Sequence, residues 1–102
     1  MTFKLTEKAF QAQVVELGLL LGWRLQYHTF DSRRSAAGFP DLVMVNIVQK
    51  RLLFAELKIL PRRPTNMQET WLGYLRACGQ EAYLWYPEDW AVIQRILEGK
   101  HE

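Results

Sequence analysis

Near the start of the chain, apolar residues recur at the three- and four-residue spacing of one helix face. They are Phe10, Val14, Leu17 and Leu21. Thr6 precedes them with a side-chain oxygen that can cap a helix, and Gly22 follows with the backbone freedom that a helix end needs. The pattern therefore predicts a helix over residues 6–21.

Two later segments show helical signals as well. Residues 67–77 carry an apolar stripe and follow Thr65 and Asn66, whose side chains can cap a helix start. The stripe consists of Trp71, Leu72, Leu75 and Cys78. Pro87 begins the other segment, an amphipathic helix that continues through Leu97. The sequence thus predicts one helix in the middle of the chain, one at the start and one near its end.

Short apolar segments between these helices have the composition of strands. Residues 23–28 alternate apolar Trp23, Leu25 and Tyr27 with polar neighbours, which predicts a half-buried strand. Residues 41–47 and 52–60 are mostly apolar and lie on either side of a turn near residues 48–50, so they predict a hairpin. Residues 81–86 are a further strand, and the polar residues 29–38 are expected to form an exposed loop.

Composition limits the class of protein. The 102 residues are 49% hydrophobic and 24% charged, which is typical of one compact domain over residues 1–102. A net charge of +2 permits a polyanionic partner without requiring one. The lone Cys78, the lack of a signal peptide and the lack of a long apolar span predict a protein of a reducing, cytoplasmic compartment with no membrane segment.

Two acidic residues fall opposite each other in the predicted hairpin. If the chain turns symmetrically about residues 48 and 49, Asp41 lies directly across from Glu56. Opposed side chains project to the same face with Cβ atoms roughly 4.5–5.5 Å apart, close enough for two carboxylates to share one cation. Such oxygen ligands suit Mg²⁺ or Mn²⁺.

The strand period adds two more groups to this position. Lys58 lies two residues beyond Glu56 and projects to the same face, whereas Leu57 points to the other face and can offer its backbone carbonyl to a cation. Glu-Leu-Lys alone is more often an exposed ion pair, and Pro40-Asp41 alone is often turn chemistry. The combination in register is what favours a phosphodiester-cleaving centre, in which a cation acidifies water and the ammonium stabilises negative charge.

Two arginine pairs flank the hairpin and are candidates for phosphate contacts. Arg33 and Arg34 precede it, and Arg62 and Arg63 follow it. Guanidinium groups suit phosphate oxygens, but a solvated loop explains the first pair equally well, and neighbouring prolines leave the direction of the second pair open.

The motifs as a set resemble a known nuclease family. Gly38-Phe39-Pro40-Asp41-Leu42, then Phe54-Ala55-Glu56-Leu57-Lys58, then Gln68 and Trp71 look like the VRR-NUC (virus-type replication-repair nuclease) branch of the PD-(D/E)XK superfamily. The resemblance runs from the helix of Glu7 through Gly79 to the strand that contains Trp85. It implies an α/β fold with a restriction-endonuclease-like core, in which a central mixed sheet is flanked by helices in the order α-β-β-β-α-β-α.

The resemblance also implies an activity and residue roles. The expected activity is Mg²⁺- or Mn²⁺-dependent endonucleolytic cleavage of structured DNA, such as Holliday junctions or flaps, by a homodimer, and a phage protein acting in a bacterial host fits it. Asp41, Glu56 and Lys58 match the core catalytic positions, and Gln68 matches the polar position on the next helix. The acidic position of the first helix is matched best by Glu7, with Gln11 one turn later and Glu16 as the weaker alternative. The implied metal ligands are Asp41, Glu56, the Leu57 carbonyl and Glu7.

Other interpretations stay open at this point. One is a nucleic-acid-binding module or nuclease subunit that kept the fold without turnover, and another is a scaffold with a coincidental motif. Trp23, Trp71 and Trp85 are predicted to pack in the core, and His28 and Cys78 are predicted to be structural. Trp90 is left open between packing, base stacking and a dimer contact.

Overall fold

The computed structural model describes residues 4–29 and 36–100. Its elements follow the predicted order, with a 3-10 turn added before the last helix. They are α1 (Glu7–Leu20), β1 (Leu25–His28), β2 (Leu42–Asn46), β3 (Arg51–Leu57), α2 (Asn66–Ala77), β4 (Glu81–Trp85), a 3-10 helix (Pro87–Asp89) and α3 (Trp90–Glu98). None of the helices in this part of the chain is long and apolar enough to cross a membrane.

The four strands form one mixed sheet in the order β1-β2-β3-β4. β1, β2 and β3 are consecutive antiparallel neighbours, as a meander requires. β4 pairs with β3 in parallel, so the chain must cross from one end of the sheet to the other between them, and α2 makes that crossing. The mixed sheet flanked by helices confirms the fold that the sequence predicted.

One face of the sheet carries the main core beneath α1 and α3. Every second residue of the central strands points to this face and is fully buried, among them Met44, Leu53 and Ala55. Trp23 seals the end of this layer, and its indole N–H donates to the Leu97 carbonyl at 2.9 Å. Gly18 lets α1 approach the sheet, because a Cβ at that position would collide with the Met44 side chain.

On the other face α2 packs over β4, and no helix of residues 4–29 and 36–100 covers β1 and β2 there. Leu72 of α2 and Leu84 of β4 line a common cleft. Leu25 and Tyr27 of β1 point to the open half and are exposed. The prediction that their alternation marks a buried side was therefore wrong, because Gln26 is the residue that faces α1 and donates to the Val15 carbonyl.

Two further details differ from the sequence prediction. The strand predicted over residues 52–60 ends at Leu57, because the chain then turns at Leu60 and Pro61, where the Arg62 N–H donates to the Ile59 carbonyl. Cys78 was expected to pack in the core, but it caps the end of α2 and is exposed. The predicted helix boundaries hold to within one residue for α1 and α2.

Arg51 joins β3 to β4 and to α3. Its guanidinium makes two bonds to the Glu81 carboxylate, at 2.9 and 2.6 Å, which join β3 to the parallel strand β4. The same group donates to the Ile96 carbonyl at 2.8 Å and lies 5.0 Å from the centre of the Trp23 ring. A fork of this kind is worth more than an exposed ion pair, because its members are partly shielded from water.

Candidate active site

Asp41 and Glu56 meet at the end of the hairpin in the predicted register. Leu42 pairs with Ala55, and the same register places Asp41 across from Glu56 one step further on. The Asp41 carboxylate takes the place of a backbone partner, because its Oδ2 accepts the Leu57 N–H at 2.8 Å. Asp41 is thus fixed to β3 by a bond that continues the ladder past the end of β2.

Glu56 is a buried acid without hydrogen-bonding partners that could hold it as an anion. Its exposed fraction is 1%, and among the described residues neither carboxylate oxygen has a donor within hydrogen-bonding distance. The nearest positive charge is the Lys58 ammonium, whose Nζ lies 3.8 Å from Glu56 Oε2. Lys58 is itself buried and Asp41 is half-buried, so this group has only limited access to solvent.

This environment makes the acids hard to ionise. Burial, followed by repulsion from Asp41, raises the pKa of Glu56 to about 8. The Lys58 ammonium lowers this pKa in part, and the charge of Glu7 adds a smaller increase. Burial also raises the pKa of Asp41. The Leu57 N–H and the Lys58 ammonium stabilise the Asp41 anion and lower this pKa, but burial has the larger effect. The pair therefore holds on to its protons at a higher pH than ordinary carboxylates do.

Glu7 is near this pair without completing a cluster with it. It is the first residue of α1, it is half-buried, and its charge acts on Glu56. Within residues 4–29 and 36–100, no three His, Cys, Asp or Glu side chains converge tightly enough to hold a metal. The directly opposed acids are the pair Asp41 and Glu56, with Glu7 farther out.

The residues present fit a divalent cation. Glu56 has two buried oxygens without donors, and protein sites for Mg²⁺ commonly supply only one or two carboxylates and leave the other positions to water and substrate. The Leu57 carbonyl points to the same side of its strand as the Leu57 N–H, that is, towards Asp41. A cation beside this pair would also remove the repulsion that keeps a proton there.

Gln68 and Trp71 lie on α2, the helix that follows the strand of Glu56. Gln68 forms a capping box with Thr65, in which its Oε1 accepts the Thr65 N–H at 2.8 Å. Its side-chain oxygen is thus engaged at the start of the helix. Trp71 was predicted to be a core residue, but it is only half-buried, and its indole N–H donates to the Ala37 carbonyl at 3.1 Å.

Trp71 holds the segment that leads to Asp41. Its ring meets Phe39 edge to face at 5.1 Å, and Phe39 in turn contacts Phe54 of β3. Gly38 has φ +82° and passes so close to α2 that a Cβ would lie 2.5 Å from the Met67 backbone. Sequence reasoning missed this positioning role, since the Trp71–Ala37 bond spans 34 positions.

The four arginines that the sequence offered as phosphate contacts are the remaining candidates. Arg33 and Arg34 lie outside the described residues. Arg62 and Arg63 are exposed, and the Arg62 carbonyl accepts the Tyr86 hydroxyl at 2.8 Å, which ties their turn to the end of β4.

The structure also locates three tryptophans and the histidine that the sequence singled out. Trp23 and Trp85 are buried in the core, as predicted. Trp90, which the sequence left open, is half-buried and packs against that core. His28 lies at the end of β1, where it pairs with Leu42.

A helix-flanked mixed sheet, with Asp41, Glu56 and Lys58 together at the end of its central hairpin, matches the arrangement that the sequence predicted for a core of the PD-(D/E)XK type. Residues 7–87 match the family model of the VRR-NUC domain, and the chain belongs to this family.

A solved structure of 0.61 TM-score shares the fold of this chain. A VRR-NUC domain protein is similar to this chain with a TM-score of 0.61 and 21% identity, over 93% of this chain and 92% of the other. The Holliday junction resolvase Hjc from the archaeal hyperthermophile Archaeoglobus fulgidus has a TM-score of 0.48 and 25% identity, over 76% of this chain and 64% of its own. A search of curated proteins gives no match.

Proposed function

We propose that this protein is a Mg²⁺- or Mn²⁺-dependent endodeoxyribonuclease. The observation that carries the proposal is the pair Asp41 and Glu56, in which Glu56 is buried, neither of its carboxylate oxygens has a hydrogen-bond partner among the described residues, and its pKa is raised to about 8. Burying such a pair costs stability, and a nearby lysine offsets only part of that cost. Such a costly arrangement is typical of functional sites, and a bound cation with a phosphate would stabilise it.

Each residue of the group has a distinct proposed role. Asp41, Glu56 and the Leu57 carbonyl would hold the cation, and Glu7 would reach it through water. The cation, when bound, would acidify the attacking water and neutralise charge on the phosphate. The Lys58 ammonium, 3.8 Å from Glu56, orients that water and stabilises negative charge on the phosphoryl oxygens. The Gln68 amide nitrogen fixes the water or the phosphate from the α2 side.

The substrate and assembly follow from the family. We propose branched DNA, such as Holliday junctions or flaps, as the substrate, and a homodimer as the acting species. Arg33, Arg34, Arg62 and Arg63 are the proposed phosphate contacts. The support for this is the motif set that the chain shares with VRR-NUC nucleases, together with the exposure of Arg62 and Arg63 in the turn after β3.

The test is cleavage of labelled duplex, flap and four-way-junction DNA by the purified chain, with Mn²⁺, Mg²⁺ or EDTA. We expect metal-dependent cleavage that is faster on branched DNA and is lost in Glu56→Ala and Lys58→Ala. Glu69→Ala, which removes an exposed acid of α2, is the matched control and should cleave like the wild type.

Two outcomes contradict the proposal. Cleavage that survives in both site variants places the chemistry elsewhere or in a contaminant. Binding of branched DNA without cleavage, under any of these metals, makes the chain a binding module instead.

A further inference from the structure

A cleft of about 420 Å³ lies where the segment before α1, the turn after β3 and the 3-10 helix after β4 come together. We name it the β3-end cleft. Besides two prolines, it is lined by Lys4, Leu5, Ile59, Leu60, Arg62 and Glu88. Sites for small molecules have volumes of roughly 300–1,000 Å³, so the β3-end cleft can take a group as large as a nucleobase.

The β3-end cleft adjoins the proposed catalytic group along the chain. Ile59 directly follows Lys58, and Leu5 comes two residues before Glu7. Because consecutive Cα atoms are about 3.8 Å apart, the wall at Ile59 begins one residue from the proposed catalytic ammonium. A DNA strand whose phosphate contacts Lys58 can therefore place a neighbouring nucleotide in the cleft.

The apolar wall of the cleft is held in place by the fold. Leu5 and Ile59 are half-buried and pack against the main core, whereas Leu60 beside them is 57% exposed. The Arg62 N–H donates to the Ile59 carbonyl at 2.9 Å, and the Arg62 carbonyl accepts the Tyr86 hydroxyl at 2.8 Å. The cleft is thus formed before a ligand enters, so little ordering is needed on binding.

The charges of the cleft favour a nucleotide over other ligands. Lys4 and Arg62 supply two cations and Glu88 supplies one acid, and all three are exposed. Within residues 4–29 and 36–100 none of these three side chains forms an ion pair, so their charges are available to a ligand. Cations suit phosphodiester oxygens, and a carboxylate accepts the amino hydrogens of a base edge. An acidic peptide would be repelled by Glu88, whereas a nucleotide uses charges of both signs.

A base can enter such a cleft only when it is unpaired. Inside a continuous duplex the base would first have to leave its stack and its partner, which is unfavourable. At a branch or a flap junction the base is already unpaired or stacks loosely, so this cost is smaller. The β3-end cleft therefore favours branched DNA over duplex.

We propose that the β3-end cleft binds an unpaired nucleotide next to the phosphate that is cut. The base lies against the apolar wall of Leu5, Ile59 and Leu60, and Glu88 accepts from the base edge. The two cations contact the flanking phosphates. The inference rests on the proposed nuclease function and gives that function a structural source of selectivity for branched DNA.

The test is binding of labelled single strands to the full chain in EDTA at low salt, measured by fluorescence anisotropy. The probes are a short deoxycytidine oligomer and an abasic strand of equal length, which has the same phosphates without the bases. We expect the deoxycytidine strand to bind about tenfold more tightly, because only this strand can bury a base in the cleft.

Two substitutions connect this difference to the cleft. Leu60→Ala should remove most of the difference, whereas Leu20→Ala, at a 76% exposed leucine of α1, should keep it. Removing an acid ordinarily strengthens binding that depends on phosphates alone. Glu88→Ala should instead weaken binding of the deoxycytidine strand by about fivefold and leave the abasic strand no weaker. Glu69→Ala, at an exposed acid of α2, should weaken neither, and circular dichroism establishes that each variant is folded.

Four results overturn the inference: no binding of either strand, equal affinity for both, a difference that survives Leu60→Ala, or tighter binding of the deoxycytidine strand by Glu88→Ala. Because the measurement is made without metal, it is separate from the cleavage test. Base-dependent binding by a chain that does not cleave DNA contradicts only the proposed chemistry. Cleavage by a chain that binds both strands equally contradicts only the role of the cleft.

Discussion

Replacing Glu56 by glutamine should make the metal-free protein more stable at alkaline pH while abolishing cleavage. The buried carboxyl has its pKa raised to about 8, against 4.5 for an ordinary glutamate. Below about pH 4.5 Glu56 is neutral in both the folded and the unfolded chain. Between pH 4.5 and about pH 8, Glu56 has lost its proton in the unfolded chain but keeps it in the folded chain. The free energy of unfolding therefore falls as the pH rises through this range.

The size of this loss of stability follows from the difference between the pKa values of Glu56 in the unfolded and folded chain. At ~1.4 kcal/mol per pH unit, the gap from 4.5 to about 8 corresponds to a loss of at most about 5 kcal/mol. Asp41 remains in the variant with its own raised pKa, so part of the loss stays. We expect Glu56→Gln to exceed the wild type by about 2–3 kcal/mol at about pH 9 and to differ little at about pH 5. The glutamine amide can still donate to the Asp41 carboxylate.

The assay is urea unfolding in EDTA, followed by tryptophan fluorescence at a series of pH values. Glu16→Gln, at an exposed glutamate of α1, is the control and should follow the wild-type curve. Adding Mn²⁺ should stabilise the wild type at alkaline pH, by about 2.7 kcal/mol at a hundredfold excess over its dissociation constant, and Glu56→Gln far less. A variant that is equally or less stable than the wild type at about pH 9, or a difference that is constant with pH, refutes the reasoning.

Three further substitutions test separate parts of the structure. Lys58→Met should lower the single-turnover cleavage rate by about 100-fold or more at saturating Mn²⁺, and an unchanged rate would remove its role. Trp71→Phe keeps the ring but loses the indole bond, so unfolding should become about 1 kcal/mol easier and cleavage slower, whereas Tyr74→Phe on the same helix should change neither. Arg51→Lys cannot reproduce the two-bond fork to Glu81 and should cost about 1–2 kcal/mol in urea unfolding without altering cleavage per folded molecule; a neutral result would contradict the role of the fork.

The sequence predicted the central part of the site because a hairpin is a local structure. Once the turn is placed, the pairing of strands fixes which residues face each other, and the observed pairing of Leu42 with Ala55 is the predicted register. The alternation of side chains then places Lys58 beside Glu56. The raised pKa of Glu56 does not follow from this local pattern, because burial by the rest of the fold is its largest cause.

The errors lie where distant parts of the chain decide the outcome. Leu25 and Tyr27 alternate as a buried strand does, yet no helix of the described chain covers their half of the sheet. Trp71 has the sequence context of a core residue, but the loop that it holds is more than thirty positions away. Spacing along the chain reveals which residues share a face, and it does not reveal what lies opposite that face.

The segment from Ala37 to Asp41 is fastened at both ends, to α2 through Trp71 and to β3 through the Leu57 amide. Helix and carboxylate consequently move as one body. A DNA strand that presses on α2 and a cation that binds Asp41 act on this same body, so each should alter the affinity for the other by an equal factor. Metal titrations with and without a non-cleavable DNA would then yield a thermodynamic cycle that closes.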